Sequence, residues 1–460
     1  MEPAAQDREP EAAPTIGLDD ALVVEVREAL DRGDETLAAG LAAALHAADQ
    51  ADLLQLLDPQ ERSALVRSLG ETLDPETLSH LDEDVRDEVI EQLGPSVTGS
   101  ALARLETDDA VEVLEDLDAE DQAAILAELP APDRVLIETA LAFPEESAGR
   151  LMQRQVVAVP SHWNVGQAID YLRAASDLPD DFYDIIIVDP RHHPVATVPV
   201  SKVLRGRRAT PLMSLGNEAL RLIPAEMDQE KVAFMFRQYG LVSAPVVSAE
   251  GRLLGVVTVD DVVEVMDEEA EDDILKLGGV QETDMFAPPL RTGMKRLPWL
   301  LVNLGTALMG AAVIAYFEGA IQRIVLLAAL LPMVGSLGGN AGTQAMTVAV
   351  RSIAVKELTA ANAWRTLLKE LVVGALNGTT FLALGAGLVL LWMGDVPLAL
   401  VFGGAMAVNL VVANVAGLLI PLAINRLGLD PAVSSGVFLT CVTDLVGFLA
   451  LLGMSAWILL

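Results

Sequence analysis

Long apolar stretches dominate the chain from residue 297 onward, and they constrain its fold more than any other feature. A helix needs about 20 consecutive apolar residues to cross the hydrocarbon core of a bilayer. Stretches of that kind lie at 298–317, 324–349, 371–393, 397–424 and 433–459. They predict an α-helical membrane domain of five spans over residues 297–460.

Basic residues precede the first predicted span and fill the connection between the second and the third. By the positive-inside rule, we expect the N-terminal part to be cytoplasmic and the C-terminus to be extracytoplasmic. The chain is therefore predicted to be a multi-pass protein of the plasma (inner) membrane.

The charges divide as unevenly as the apolar residues. The chain has 66 acidic and 30 basic residues and a net charge of −36. From residue 297 onward six acids balance six bases, so the whole excess lies in residues 1–296. Such an excess favours bound cations and argues against nucleic acid as a partner. Residues 1–16, rich in Ala, Pro and Glu, are predicted to be a disordered tail, and the single cysteine, Cys441, excludes an intramolecular disulfide.

A leucine recurs every twelve residues within the acidic part, at positions 57, 69, 81, 93, 105, 117, 129 and 141. A second apolar residue precedes each of the first seven by three positions, and turn formers such as Pro59 and Pro130 follow. A unit of two helical turns cannot bury its apolar face alone, so successive units must stack. We expect residues 17–148 to form an all-α superhelical N-terminal domain.

A looser repeat follows at a spacing of 59 residues, with two apolar runs in each copy: 186–188 and 195–200, then 245–247 and 254–259. Amphipathic helices precede and follow each copy. This β-α-β-β-α order, used twice, resembles a tandem pair of α+β CBS domains, with expected bounds 149–209 and 210–267.

The resemblance to CBS domains also implies a nucleotide site. Such pairs often bind adenosine nucleotides such as ATP through a Thr and an Asp three residues later, here Thr258 and Asp261. The first copy departs from this pattern, since Ser201 and Lys202 stand where the second copy has Asp260 and Asp261.

An acidic run then leads toward the first span. Its carboxylates are spaced by three or four residues, at Asp261, Glu264, Glu268 or Glu269, and Asp272. On one helix face such charges repel one another unless cations bridge them. A solvated helix face is the alternative interpretation. We predict a connecting plug helix over 268–296 whose packing depends on bound cations.

The second span is interrupted between Pro332 and Gln344 by glycines and polar residues. The spacing of its glycines by itself suggests close helix packing. With Asn340 and Thr343 added, we expect instead a bent or unwound helix that exposes polar groups to a cavity.

The fifth span carries one carboxylate, Asp444, in an otherwise apolar segment. An ionisable group at that depth costs several kcal/mol, roughly 2.5–3.5 on insertion scales, and marks a functional site by default. Gly436, Thr440, Asp444 and Gly447 recur at helical spacing and form one stripe. We expect this stripe to face a pore, with Thr443 beside it and the amides of Asn340 and Asn409 nearby.

These motifs together resemble the MgtE family of magnesium channels. The resemblance covers roughly residues 46–460 and rests on four segments: 143–152, 338–344, 427–432 and 443–447. It implies a homodimer in the bilayer, with no other protein partner and no enzymatic activity. It also implies that the helical domain, the CBS pair and the plug helix close the pore when intracellular Mg²⁺ binds between them.

The resemblance implies specific ligands for transported and regulatory Mg²⁺. In the membrane these are Asp444 at the pore ion site and Asp430 as a further acid. The regulatory residues are Glu76, Asp108, Glu112, Asp228, Glu230, Asp261, Glu264, Glu269, Asp272 and Asp273.

The predicted function is therefore a magnesium-selective channel for Mg²⁺ uptake that intracellular Mg²⁺ closes. The alternative is a proton- or cation-coupled secondary transporter of divalent cations that titrates Asp444. A membrane aspartic hydrolase would need two close aspartates, and only Asp430 and Asp444 are available.

Overall fold

The computed structural model describes residues 17–175, 178–179, 182–217, 219–280, 286 and 289–460. The predicted tail at 1–16 and residues 281–285 and 287–288 of the predicted plug helix lie outside the described residues. The chain divides into two compact units, one ending at Met266 and the other beginning at Asp267.

Short helices form the first part of the chain. They are α1 (Asp20–Asp31), α2 (Glu35–Ala42), α3 (Ala47–Leu56), α4 (Pro59–Leu69), α5 (Glu83–Leu102), α6 (Thr107–Glu115), α7 (Ala119–Glu128) and α8 (Ala131–Leu141). A 3₁₀ turn at Pro75–Leu78 takes the place of one helix, and Gly94, with φ of 74°, breaks α5 in two.

The twelve-residue repeat accounts for the packing of these helices. The apolar residues that precede the repeated leucines by three positions are buried in the first six units: Leu54, Val66, Leu78, Ile90, Leu102 and Leu114. The turn formers act as caps, since Asp58 accepts hydrogen bonds from the backbone of Gln60 and Glu61 and forms a capping box at α4. The predicted all-α domain of stacked short helices is confirmed.

Two similar α+β domains follow. The first contains β1 (Ala158–Pro160), α9 (Val165–Ala174), β2 (Asp184–Val188), β3 (Pro194–Pro199) and α10 (Val200–Arg205). The second contains β4 (Ile223–Pro224), α11 (Gln229–Tyr239), β5 (Ser243–Val247), β6 (Leu253–Thr258) and α12 (Val259–Gly278).

The two copies share one sheet topology. In each copy the central strand pairs in parallel with the first strand and antiparallel with the third. The first residues of the two central strands touch, because Ser243 Oγ donates to Asp184 Oδ2 over 2.6 Å. The predicted CBS pair is confirmed. The last helix of the second copy, α12, continues without a break into the predicted plug segment.

Long helices form the rest of the chain: α13 (Pro289–Tyr316), the short α14 (Glu318–Arg323), α15 (Leu326–Ala354), α16 (Ala363–Met393), α17 (Val396–Arg426) and α18 (Pro431–Ile458). Five of those described are long and apolar enough to cross a membrane, as predicted. Helix α17 is the most buried of them and packs against α15, α16 and α18.

The predicted unwound segment in the second span is wrong, because α15 is one continuous helix from Leu326 to Ala354 with Pro332 inside it. Its glycines instead allow close helix packing. A Cβ added at Gly342 would stand 2.8 Å from the Leu439 side chain, and one added at Gly338 would stand 2.1 Å from Asn409 Nδ2. Backbone hydrogen bonds must be satisfied internally within a bilayer, which favours an intact helix.

Candidate ion sites

Asp444 lies in the middle of α18 and is partly buried against α15. A Cβ added at Gly335 would stand 2.9 Å from Asp444 Oδ1 and 3.4 Å from the ring of Phe448. The absence of a side chain at Gly335 is what lets the backbone of α15 approach the carboxylate so closely. Asp444 is therefore confined on one side and partly accessible on the other.

The other predicted pore residues divide into two groups. Thr440 and Asn340 are exposed, and Gly436 is partly exposed. Thr443 is fully buried and donates to the Thr440 carbonyl of its own helix, while Asn409 is 1% exposed and donates to a carbonyl of α15. In the single chain, Thr443 and Asn409 therefore lie inside the helix packing and not on an accessible stripe with Asp444.

Asp430 has two contacts at the start of α18. Its Oδ1 accepts the backbone N–H of Ala432 over 2.8 Å, as an N-cap. Its Oδ2 lies 2.9 Å from Lys276 Nζ near the end of α12, and the same ammonium group also pairs with Asp272. Next to this lysine, Leu277 packs on a buried cluster that includes Met346 and Leu439.

The Lys276 ammonium changes the electrostatics of this junction. Burial lowers the pKa of Lys276, but its hydrogen bonds with Asp272 and Asp430 outweigh this and raise the pKa overall. Burial and then the Asp430 charge raise the pKa of Asp273. The Lys276 ammonium and the Arg351 charge oppose this rise in the pKa of Asp273. A divalent cation would have to compete with Lys276 for Asp272 and Asp430.

A second acidic cluster lies where α6 faces the start of α12. Asp108 is only 7% exposed, and its Oδ2 has no hydrogen-bond partner among the described residues. Burial raises the pKa of Asp108 well above its usual range, and repulsion from Asp261, Asp109 and Glu106 raises it further. A buried carboxylate with one unsatisfied oxygen among other acids needs a proton or a cation.

Its neighbours are perturbed in the same direction. Burial raises the pKa of Asp109 to about 7, helped by repulsion from Asp261, Glu264, Glu76 and Asp260. Burial also raises the pKa of Asp261 to about 6, although the Thr258 hydroxyl donates to Asp261 Oδ2 over 2.6 Å. The fold thus places the predicted residues Glu76, Asp261 and Glu264 close enough for their charges to act on one pair of aspartates, the predicted Asp108 and its neighbour Asp109.

The remaining predicted regulatory residues lie on α6, α11 and α12. Glu112 is 3.7 Å from the buried Arg86, and Asp228 caps α11 with Lys231 at 3.3 Å. Glu230 is exposed on α11, and Glu269 lies on α12.

Across the described part of the chain, no three His, Cys, Asp or Glu side chains are close enough to hold one metal ion together. Mg²⁺ dehydrates reluctantly and is commonly held through one or two carboxylates and retained waters. Asp108 supplies a buried oxygen that fits this role.

Comparison with known proteins agrees with the fold. Residues 331–454 match the sequence profile of the MgtE "divalent cation transporter" family, residues 45–146 match the "MgtE intracellular N domain", and residues 217–268 match the CBS domain. The magnesium transporter MgtE of Enterococcus faecalis is 34% identical over 68% of this chain and 69% of its own length. The chain belongs to the MgtE family.

Other MgtE relatives are similar to the same extent. The magnesium transporter MgtE of Thermus thermophilus is 31% identical over 71% of this chain and 73% of its own length. Among solved structures, the cytosolic domain of the Mg²⁺ channel MgtE in complex with ATP is 29% identical, covers 53% of this chain and 99% of that chain, and gives a TM-score of 0.49. The crystal structure of the soluble part of a magnesium transporter is 27% identical. It covers 55% of this chain and 99% of that chain, with a TM-score of 0.48.

Sequence reasoning missed four residues in this MgtE chain. Asp109 and Asp260 belong to the acidic cluster, and their proximity to the predicted acids was visible only as adjacency in the sequence. Lys276 pairs with Asp430 across 154 residues, and no local pattern indicated that pairing. Gly335 was read as part of a packing motif, and its contact with Asp444 follows only from the way α15 meets α18.

Proposed function

We propose that this MgtE-family chain is a magnesium-selective channel that admits Mg²⁺ into the cytoplasm and closes when intracellular Mg²⁺ rises. The observation that carries the proposal is the presence, in one chain, of a membrane carboxylate and a separate cluster of mutually repelling carboxylates. The same hard cation suits both, because Mg²⁺ prefers oxygen ligands and retained waters. The relatives named as magnesium transporters support this choice of ion.

The pore role is assigned to Asp444. In a homodimer, two copies of Asp444 near the symmetry axis would present two carboxylates to a hydrated ion. Pore width and the placement of oxygen atoms would then set selectivity. The exposed Thr440 and Asn340 supply further oxygens on the accessible side of the helices.

The sensing role is assigned to the cluster around Asp108. At neutral pH, packing α6 against the start of α12 brings Asp108, Asp109 and Asp261 together against their mutual repulsion. A cation that binds this packed arrangement better than the open one must favour it, in proportion to the difference in affinity. Intracellular Mg²⁺ therefore acts as a ligand of the closed state.

Uptake into proteoliposomes tests the transport mode. A channel carries Mg²⁺ down its own gradient, so uptake continues after protonophores and sodium ionophores collapse the other gradients. A coupled secondary transporter loses net uptake under the same treatment. Loss of uptake when the proton or sodium gradient is collapsed would refute the channel.

A nucleotide is proposed as a second ligand of the CBS pair. Phe182, Tyr183, Asp184, Ser243 and Thr258 line a pocket between the two copies. It offers aromatic surface for a base and a carboxylate for ribose hydroxyls. Calorimetric titration of the full chain with ATP tests this proposal, and we expect weaker ATP binding in Thr258→Val than in wild type. An unchanged ATP affinity in that variant would show that Thr258 is not part of the site.

A further inference from the structure

A buried carboxamide lies inside the membrane unit, next to the segment of α15 that confines Asp444. Asn409 on α17 is 1% exposed, and its Nδ2 donates to the Val334 carbonyl of α15 over 2.9 Å. Its Oδ1 has no hydrogen-bond partner among the described residues. A leucine of almost the same shape would pack there without burying polar atoms, so the amide needs a reason.

The carbonyl that Asn409 holds is one covalent step from the ion site. The Val334 carbonyl belongs to the peptide group that joins Val334 to Gly335, and Gly335 is the residue whose missing side chain leaves room for Asp444. Any rotation of that peptide group moves the Gly335 backbone against the Asp444 carboxylate. The hydrogen bond from Asn409 opposes such a rotation.

Two further glycines shape the space for the amide. A Cβ at Gly338 would stand 2.1 Å from Asn409 Nδ2, and a Cβ at Gly447 would stand 2.8 Å from the same atom. Gly338 lies one helical turn after Gly335, and Gly447 lies one turn after Asp444. The amide therefore sits where α15, α17 and α18 meet, immediately beside the Gly335–Asp444 contact.

The other buried amide of α17 behaves differently. Asn414 is 4% exposed, but its Nδ2 donates to the Leu410 carbonyl of its own helix over 2.9 Å. That hydrogen bond stays within α17 and does not connect it to another helix. Asn409 and Asn414 thus share residue type, helix and burial, and they differ in what they hold.

We propose that Asn409 is a positioning residue for ion binding, which fixes the Val334–Gly335 peptide group of α15 against the Asp444 carboxylate. This rests on the proposed function of Asp444 and adds to it a residue that does not touch the ion. Interhelical hydrogen bonds in membranes correspond to roughly three- to tenfold in an equilibrium constant. We expect Asn409→Leu to raise the half-saturating Mg²⁺ concentration by about that factor while the maximal uptake rate changes less.

The test measures uptake against Mg²⁺ concentration in proteoliposomes that hold equal amounts of folded protein. Asn409→Leu is compared with Asn414→Leu, and Gly338→Ala, which displaces the amide, is compared with Gly387→Ala, whose added Cβ meets nothing within 4 Å. The two test variants are expected to raise the half-saturating concentration, and the two controls are expected to leave it unchanged. If Asn409→Leu does not fold, Gly338→Ala still tests the role of the amide.

The outcomes separate this claim from the proposed function. If Asp444→Asn abolishes uptake and both test variants keep the wild-type half-saturating concentration, Asn409 is not a positioning residue and the channel proposal stands. If the test variants lower only the maximal rate, Asn409 has a purely structural role and the claim is also wrong. If Asp444→Asn transports like wild type, the assignment of Asp444 fails first.

Discussion

Replacing Asp109 by Asn removes one charge from the cluster around Asp108 and keeps the shape of the side chain. Burial and four neighbouring acids raise the pKa of Asp109 to about 7 from its ordinary value of 3.8. A carboxyl group whose pKa is raised in the folded state binds its proton more tightly when folded than when unfolded. Its contribution to stability is therefore present below pH 4 and is lost as the pH rises through 7.

The size of this effect follows from the shift. About three pKa units at 1.36 kcal/mol each give a ceiling of about 4 kcal/mol by which ionised Asp109 destabilises the packed arrangement above pH 7. Asn still buries a polar amide, which reduces the gain, and we expect about 2 kcal/mol. That corresponds to roughly thirtyfold slower opening of the local structure.

Hydrogen–deuterium exchange of the full-length chain measures this opening locally, in peptides that cover α6 and the start of α12. At pH 8 without Mg²⁺, these peptides are expected to exchange about thirtyfold more slowly in Asp109→Asn than in wild type, after correction for intrinsic rates. At pH 5.5, where wild-type Asp109 is protonated, the difference should nearly vanish. Saturating Mg²⁺ should also shrink it, because the cation screens the same repulsion.

Asp121→Asn is the matched control, since Asp121 is an exposed acid on the neighbouring helix α7. It lowers the net negative charge equally and should leave exchange in α6 unchanged. The reasoning is refuted if Asp109→Asn exchanges as fast as wild type at pH 8 without Mg²⁺, or if Asp121→Asn protects α6 equally.

Two further substitutions test the membrane unit. Lys276→Met removes the ammonium group that pairs with Asp272 and Asp430. We expect the melting temperature in EDTA to fall, because an interaction worth about 1 kcal/mol is lost. Added Mg²⁺ should then raise the melting temperature more than it does in wild type, whereas the exposed control Lys369→Met should show neither change. An unchanged Mg²⁺ response would mean that Lys276 and Mg²⁺ do not compete. Gly335→Ala places a methyl group 2.9 Å from Asp444 Oδ1 and is expected to lower Mg²⁺ uptake roughly tenfold, while Gly319→Ala, whose Cβ meets nothing within 4 Å, should transport normally. Wild-type uptake by Gly335→Ala would contradict the close approach of α15 to Asp444.

The sequence predicted the architecture well because periodic patterns carry it. Apolar stretches of membrane-spanning length marked the five long helices. The twelve-residue repeat marked the stacked helices, and the spacing of 59 residues marked the paired sheets from Asp184 and Ser243 onward. Each of these signals is local or repeated, so it can be read without knowing which elements touch.

The sites were only partly predictable, because they depend on how elements approach one another. The acids near Asp108 were expected, but the burial that leaves Asp108 Oδ2 unsatisfied arises only when α6 meets α12. Asn409 was expected in the pore lining, and its hydrogen bond to Val334 places it inside the packing. The glycines and Pro332 of α15 were interpreted as a break in the helix. The helix is continuous, and side chains of α17 and α18 pack closely against its glycines.

The aspartic hydrolase considered from the sequence does not fit the geometry within one chain. Asp430 caps the first turn of α18, and Asp444 follows 14 residues later on the same helix, about 21 Å away at 1.5 Å per residue. Two carboxyl groups that share a proton must be close together. Asp430 is, in addition, paired with Lys276.

The central claim is that Asp444 binds the transported ion and that the acidic cluster senses the same ion from the cytosolic side. The most direct measurement is Mg²⁺ current through wild type and Asp444→Asn in planar bilayers, with Mg²⁺ varied on the side that faces the acidic unit. We predict a wild-type current that falls as Mg²⁺ on that side rises, and no Mg²⁺ current for folded Asp444→Asn. A wild-type current in Asp444→Asn, or a wild-type current indifferent to Mg²⁺ on that side, would contradict the account.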